Sequence, residues 1–520
     1  AEAVVQGNGK IVFVGDKDEA LKYYPDARKY NLKGRTMLPA FIDPHSHFMS
    51  ALRMVNQVNV ASPPMGPAKS IEDIMNLLAD FKKKKNIKDG DWIIGWGYDQ
   101  DLIKEKRHIT KRDIDKYFPD NKVMIIHVSM HGAVLNSRAL EWAGINAHTK
   151  TPAGGVIARF PNSEEPAGLV MEMAFIPIFE KMPQPSVDEM MKLMKPAQML
   201  YARNGYTQAV EGYSHISDMD LLLKAAAEHK LFLDIISLPG FTEMDKWLNN
   251  PKYKFGVYTN HLKFGGGKFT LDGSPQGKTA YMSSPYLTGG PNGEKNWYGN
   301  TSIPRDELAK MARTMIDNHI QINFHANGDA AIDDAIYAIE KAGITAKDDK
   351  RPIIIHSQFQ RLDQLEKYVE LGITPSYFTN HVYFWGDVHI KNVGEKKASF
   401  ISPLKTAQAL GIIFSNHTDF NVTPLNPFFI LWTATNRITR SGKVLGPKER
   451  IDTYTALQGL TSGPAYQFFE ENRKGKIKTG MLADFVILKN NPLKQNISDL
   501  RDNEVIETIK EGKTIFENKK

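Results

Sequence analysis

Phe41-Ile-Asp-Pro-His45-Ser-His47 is an apolar run that ends in two histidines one residue apart. Residues i and i+2 of an extended chain project to the same side, so both imidazoles can reach one cation. A lone His-x-His is more often an exposed or hydrogen-bonded pair. Its weight here comes from other runs that end alike. Ile322-Asn-Phe-His325-Ala-Asn-Gly-Asp329 carries a histidine into a turn before a helical stretch over 330–342, and Ile353-Ile-Ile-His356-Ser-Gln repeats the arrangement about one βα unit later. Ile412-Ile-Phe-Ser-Asn-His417-Thr-Asp419 delivers an aspartate ahead of Pro424-Leu-Asn-Pro427. Such a carboxylate can bind a cation through one oxygen and take a proton with the other; a helix cap is the alternative.

Lys268-Phe-Thr-Leu-Asp272-Gly-Ser274 places a lysine inside an apolar strand. A buried lysine tends to lose its proton, and the free amine can combine with carbon dioxide to give a metal-bridging carbamate. A snorkelling surface lysine is the bland alternative, and Glu172 in Gly168-Leu-Val-Met-Glu172 is the rival bridging carboxylate.

Working outward, the runs 37–42, 205–210, 231–236, 268–271, 320–324, 352–355, 372–375 and 410–414 alternate with helical stretches. That pattern predicts an α/β fold, a distorted (β/α)8 TIM-like barrel whose chemistry sits where the strands end. The long gap after the first run predicts a large insertion, about 55–200, which holds Trp92, Trp96 and Tyr98. These aromatics either fill a core or line an apolar substrate pocket. Both chain ends read as β: Gly9 to Gly15 near the front, Ala483 to Leu488 and Val505 to Phe516 near the back, the last with a turn at Glu511-Gly512.

With 520 residues the chain exceeds what one core usually supports. It has no cysteine, which excludes disulfides, thiolate ligands and a thiol nucleophile. Net charge is +7, but the lysine runs such as 82–85 lack the interleaved aromatics of a nucleic-acid groove, so no nucleic-acid partner is expected. No apolar stretch reaches the ~18 residues of a membrane span, and the opening Ala1-Glu-Ala-Val-Val is not a basic-then-apolar signal segment. A soluble protein with no membrane partner is expected, cytoplasmic or periplasmic. A homodimer stays open.

As a set, His45, His47, Lys268, His325, His356 and Asp419 on successive strands resemble the metal-dependent amidohydrolase superfamily. Residues 34–47, His325-Ala-Asn-Gly-Asp329, and His417-Thr-Asp419 with Pro424-Leu-Asn-Pro427 resemble its amidohydrolase 3 branch, the YtcJ-like and N-substituted formamide deformylase-like proteins. The late stretch 475–484 resembles the return into a terminal β-sandwich. The resemblance implies a barrel over 41–464 and a β-sandwich built from 1–40 and 465–520. It implies a pair of divalent metal ions, zinc first, with iron, manganese or cobalt also suited. His45 and His47 would bind the more buried ion and His325 and His356 the other, with carbamylated Lys268 bridging. Asp419 would bind metal and move the proton of an attacking water, and His131 would face the small-molecule substrate from the insertion and polarise its carbonyl or hold the oxyanion, a purely structural role being the alternative.

The reaction implied is hydrolysis of a carbon–nitrogen bond, in an amide or N-substituted formamide. Single-metal deamination of a heterocycle and a catalytically reduced binding or regulatory protein are the alternatives. Two departures stand out. Relatives carry a further strand ahead of the one at Gly9, so the small sheet is expected to be incomplete. Many also have Gly-Ser where this chain has His417-Thr418, which makes a third imidazole an extra ligand or a proton-transfer group.

Overall fold

The strand Thr36–Pro39 and the strand Phe41–Ile42 come from one apolar run but serve different sheets. The structure, a computed structural model, describes residues 1–519 except 101, 129–131, 153–154, 173, 183–184 and 291–293. Phe41–Ile42 joins Tyr206–Ser214, Asp234–Pro239 and Leu262–Phe264 as parallel strands of one sheet. Gly267–Thr270, Ile322–Ala326, Ile353–His356, Thr374–Tyr377 and Ser415–Asn416 form a second, all parallel. Helices follow most of these strands, among them Ile216–Ala227, Asp329–Lys341, Leu362–Leu371 and Asn380–Val393, so the architecture is α/β.

The two sheets meet in the middle of a single extended stretch. Gly265 donates its N–H to Ser237 in the first sheet, while Gly267 donates to Gln321 beside the second. Gly266 has φ +159°, and a Cβ on it would lie 2.3 Å from the Gln321 carbonyl oxygen, so the change of partner needs a residue without a side chain. At the other edge Ile42 donates to the Leu460 carbonyl and Asn416 to that of Gly459, while Asp419 N–H donates to His45 O at 3.0 Å. Val210, Ile236 and Leu238 of the first sheet pack in one buried cluster with Ile353 and Ile355 of the second and with Phe468.

Two of the expected strands are corrected. The run 410–414 is not itself a strand; Leu410 caps the helix Leu404–Ala409, Gly411 turns with φ +73°, and the strand is the polar pair Ser415–Asn416. The small sheet is not short of a strand ahead of Gly9 either. Ala3–Gly7 pairs antiparallel with Lys10–Gly15 across Asn8-Gly9, both in the left-handed region that such a two-residue hairpin turn requires.

At the other end Phe485–Leu488, Val505–Lys510 and Lys513–Glu517 form a sheet with Thr36–Pro39, the last two strands turning at Glu511-Gly512. This sheet and the hairpin share a core of Ile11, Met481, Ala483 and Phe485. Beneath it Asp234 is buried against the ammonium groups of Lys474 and Lys510, with His261 Nδ1 2.8 Å from its other oxygen. Burial disfavours the Asp234 anion, but the two lysines hold its carboxyl well below the usual range.

By its contacts the chain divides into two units, one of residues 50–196 with 422–424 and one of the remainder, which contains both chain ends and the parallel strands. The first has its own sheet, ordered Val58–Asn59, Trp92–Tyr98, Lys122–His127, Gly132–Leu135, Pro166–Glu172, Gly155–Arg159. Tyr98 is fully buried in the core of that unit, and Trp92 packs edge-on against Trp142 with ring centroids 5.0 Å apart. For Tyr98 core packing is the observed role, while Trp92 is only partly buried.

Candidate metal centre

His45 and His47 leave the end of the Phe41–Ile42 strand on the same side, as alternation requires. His45 Nε2 and His47 Nε2 each lie 3.4 Å from Asp419 Oδ1. Between them Ser46 is turned away, its hydroxyl donating to the Val210 carbonyl and accepting from Tyr201. His47 also stands 3.8 Å from Glu211 Oε1, whose carboxylate is fixed by the N–H groups of Met49 and Tyr213 at 2.6 and 3.1 Å. Gly212 leaves the space that the His45 ring occupies: a Cβ there would come within 2.3 Å of His45 Cε1.

His356 ends its strand with φ +71° and Asp419 has φ +50°, both in a region unusual for residues with side chains and often associated with sites that need a fixed geometry. His356 Nδ1 lies 3.1 Å from His417 Nε2, and His417 Nδ1 lies 2.9 Å from Ser376 Oγ. The His325 and His356 rings meet edge to face at 4.5 Å. His325 Nδ1 is 3.3 Å from Asp272 Oδ1, and Asp272 in turn accepts from the N–H groups of Tyr281, Asn327 and Gly328. Lys268, one strand over from His325, is buried.

Two trios of ligand atoms therefore converge and share Asp419: His45, His47, Asp419 and His356, His417, Asp419, each with its atoms within 4.8 Å of one another. His417 completes the second trio where the sequence pattern had put His325. A third trio, Asp234, His261 and Glu511, is the lysine-compensated cluster under the terminal sheet. His131 lies outside the described residues. The backbone of Glu172 belongs to the sheet of the other unit, and its side chain lies outside the described residues too.

The electrostatics suit cations. Burial, reinforced by Lys268 and neighbouring imidazoles, holds the His45 ring neutral well below its ordinary range, and burial with His325 and His417 does the same for His356. His417 is pushed down to about 3, mainly by burial. Burial works against charge on His47 as well, but the Asp419 and Glu211 carboxylates outweigh it and push that ring up to about 9. For Asp419 burial favours the acid, yet His47, His417 and Lys268 hold the carboxyl below the usual carboxylate range. Lys268 is pushed down to about 7 by burial, partly offset by Asp419 and Glu211. Asp43, buried under Thr418 with Oδ2 2.5 Å from its hydroxyl, is pushed up to about 7 by burial.

Asp419 Oδ1, His45 Nδ1 and His325 Nδ1 are buried without a hydrogen-bond partner. Unmet buried polar atoms are rare and costly, and the anionic Asp419 Oδ1 flanked by the Nε2 atoms of His45 and His47 is the donor set of a divalent metal. The residues fit such an ion.

The family model of the amidohydrolases matches residues 28–516. The chain belongs to the amidohydrolase family. As an amidohydrolase it is a metal-dependent hydrolase of carbon–nitrogen bonds. It is 26% identical to the Bacillus subtilis (strain 168) protein YtcJ over 529 residues, 99% of this chain and 96% of that one. It is 26% identical to an N-substituted formamide deformylase of Arthrobacter pascens over 528 residues, 99% of this chain and 95% of the relative. A crystal structure of a metal-dependent hydrolase from Pyrococcus furiosus shares the fold, with TM-score 0.73, 24% identity and coverage of 94% of this chain and 95% of that one. Among the described residues no helix of this amidohydrolase is long and apolar enough to cross a membrane.

Sequence reasoning missed Glu211, Asp272 and Asp43 as site residues. The signal was there for two of them. Glu211 and Asp272 each follow an apolar run directly, at the positions where His325 and Asp419 drew notice.

Proposed function

We propose that this amidohydrolase cleaves an amide or N-substituted formamide in a small molecule, on a distorted (β/α)8 barrel completed by the terminal β-sandwich. Counting the Gly265-Gly266 break as one interrupted strand, the parallel strands number eight, which supports the barrel. The observation that carries the proposal is the unpartnered Asp419 Oδ1 held 3.4 Å from the Nε2 atoms of His45 and His47.

His45, His47 and Asp419 would hold one divalent ion, zinc first by ligand type, and His356 with His417 and His325 a second. Lys268, pushed down to about 7 by burial, would be able to add carbon dioxide through Nζ with release of one proton and so offer a carbamate as a further metal ligand. A bound divalent ion supplies Lewis acidity, polarising the carbonyl and lowering the pKa of water toward about 7.

Asp419, whose carboxyl His47 holds below the usual carboxylate range, accepts the proton of the attacking water and returns it to the leaving nitrogen as the carbon–nitrogen bond breaks, so that a formamide gives formate and an amine. Asp43 and Thr418 fix the backbone that carries Asp419.

The test is purified protein assayed on N-aryl and N-alkyl formamides beside small polar amides, with metal counted per chain and the mass of the Lys268 peptide measured. Formate release that Asp419→Asn cuts by about 10²–10⁴-fold while metal remains bound is the expected result. One ion per chain, unmodified Lys268 and ammonia released from a heterocycle would transfer the assignment to a deaminase.

A further inference from the structure

His381 and His389 form a buried pair just outside the cluster of ligands. Thr374–Tyr377 ends at the same rim as the strands that deliver His325, His356 and Asp419, and Phe378 to His381 follow directly. The Phe378 ring lies between the two sets of histidines: its centroid is 4.8 Å from that of His417 and 4.6 Å from that of His381. Thr379 ties this segment to the neighbouring strand, accepting from the Asn416 amide at 2.8 Å and donating its N–H to Asn416 Oδ1 at 3.2 Å.

His381 Nδ1 lies 3.1 Å from His389 Nε2, the rings stacked 4° from parallel. Burial, with the neighbouring imidazoles for His381, keeps both neutral, so one proton lies between the two nitrogens. His389 Nδ1 is buried without a hydrogen-bond partner, and the His389 ring meets Phe359 edge to face with centroids 5.4 Å apart. An N–H stranded there is the rarer and costlier arrangement than a bare lone pair. His389 therefore carries its proton on Nε2 and donates it to His381 Nδ1. His381 must then carry its own proton on Nε2, an atom with no protein partner among the described residues that is not sealed from the surroundings.

We infer that His381 presents this Nε2–H to the carbonyl oxygen of the substrate, and that His389 is a positioning residue that fixes the tautomer. No reaction step of the proposed function uses either ring, but the inference rests on that function for its substrate. A neutral imidazole donor aimed at developing negative charge is an oxyanion-binding group.

The closing experiment has two arms. In ¹⁵N spectra of histidine-labelled full chain without substrate, the signal that His381→Gln removes is expected to show protonation at Nε2, and His389→Phe to turn it into a mixture of tautomers. Protonation at Nδ1 in the unaltered chain overturns the inference. In the kinetic arm His381→Ala is expected to lower kcat/KM on the best amide by about 100-fold with metal content and circular dichroism unchanged, and His381→Gln, which keeps a donor, to recover part of it. His381→Ala within about twofold of the parent overturns the inference. A parent that cleaves no amide overturns the proposed function instead, and the tautomer spectrum still decides the histidine pair.

Discussion

His417 Nε2 is 3.1 Å from His356 Nδ1, so two imidazoles of the candidate ligand cluster hold each other's orientation. Behind His417 the Ser376 hydroxyl is itself held by Ser415, whose hydroxyl reaches Gln467 Oε1 at 2.5 Å. Partners of this kind fix ring orientation and ligand basicity. If the proposed two-ion site is correct, His417→Gly is expected to weaken one ion by about 10–100-fold and leave the other bound. Metal titration with a competing chelator checks it; equal retention of both ions would show that His417 neither binds nor orients.

Gly212→Ala should act on the trio of His45, His47 and Asp419. The new methyl would overlap His45 Cε1 at 2.3 Å, and the ring, enclosed on all sides, has little room to withdraw. A cost of about 1–3 kcal/mol in stability is expected, together with loss of the ion proposed for His45 and His47. Thermal melting and metal analysis of the variant beside His45→Ala would show whether the two losses coincide.

Asp272→Ala would leave the N–H groups of Tyr281, Asn327 and Gly328 without their acceptor and His325 without its neighbour. Each buried orphan costs about 1–3 kcal/mol, so a loss of about 3 kcal/mol or more is expected, and activity should fall with it because the turn that aims His325 is released. Denaturant unfolding and kcat/KM measured on the same preparation separate the two effects.

The proton on His47 gives metal binding a defined pH dependence. In the metal-free chain this ring is pushed up to about 9, whereas His45 and His356 are already neutral well below their ordinary value of 6.5. Binding a cation must displace the His47 proton, so affinity falls as pH drops below about 9, by about tenfold per unit for one proton. The sign for folding is opposite. A raised pKa stabilises the metal-free fold fully below about 6.5, the unfolded value, and that contribution is lost as pH rises through about 9. Calorimetric proton release on zinc binding at pH 7.5 and at pH above about 9 measures it; no release at the lower pH would contradict a protonated His47.

Much of the cluster was legible because the parallel strands end where chemistry-bearing residues begin. His45, His47, His325, His356 and Asp419 each follow an apolar run within a few residues, and topology does the rest. Residues that act on their neighbours' backbone were harder to see. Asp272 accepts from N–H groups some fifty-five residues on, at Asn327 and Gly328, and Glu211 from Met49, 162 residues before it, a relationship with no sequence period. His381 and His389 sit inside a helix, where spacing suggests only a buried face. Hydropathy misjudged strand limits where a run changes partner, as at Thr36–Ile42, or where a polar pair such as Ser415–Asn416 is the strand and the apolar residues before it cap a helix.

Thr36–Pro39 pairs with Phe485–Leu488, and Lys510 lies against Asp234. On a ribosome the early partner of each contact emerges long before the late one. The nascent polypeptide can align its parallel strands while an edge stays open and a sequestered carboxylate lacks one of its two counter-ions, which makes that interval the stage most exposed to misassembly and the one where chaperone protection would matter most.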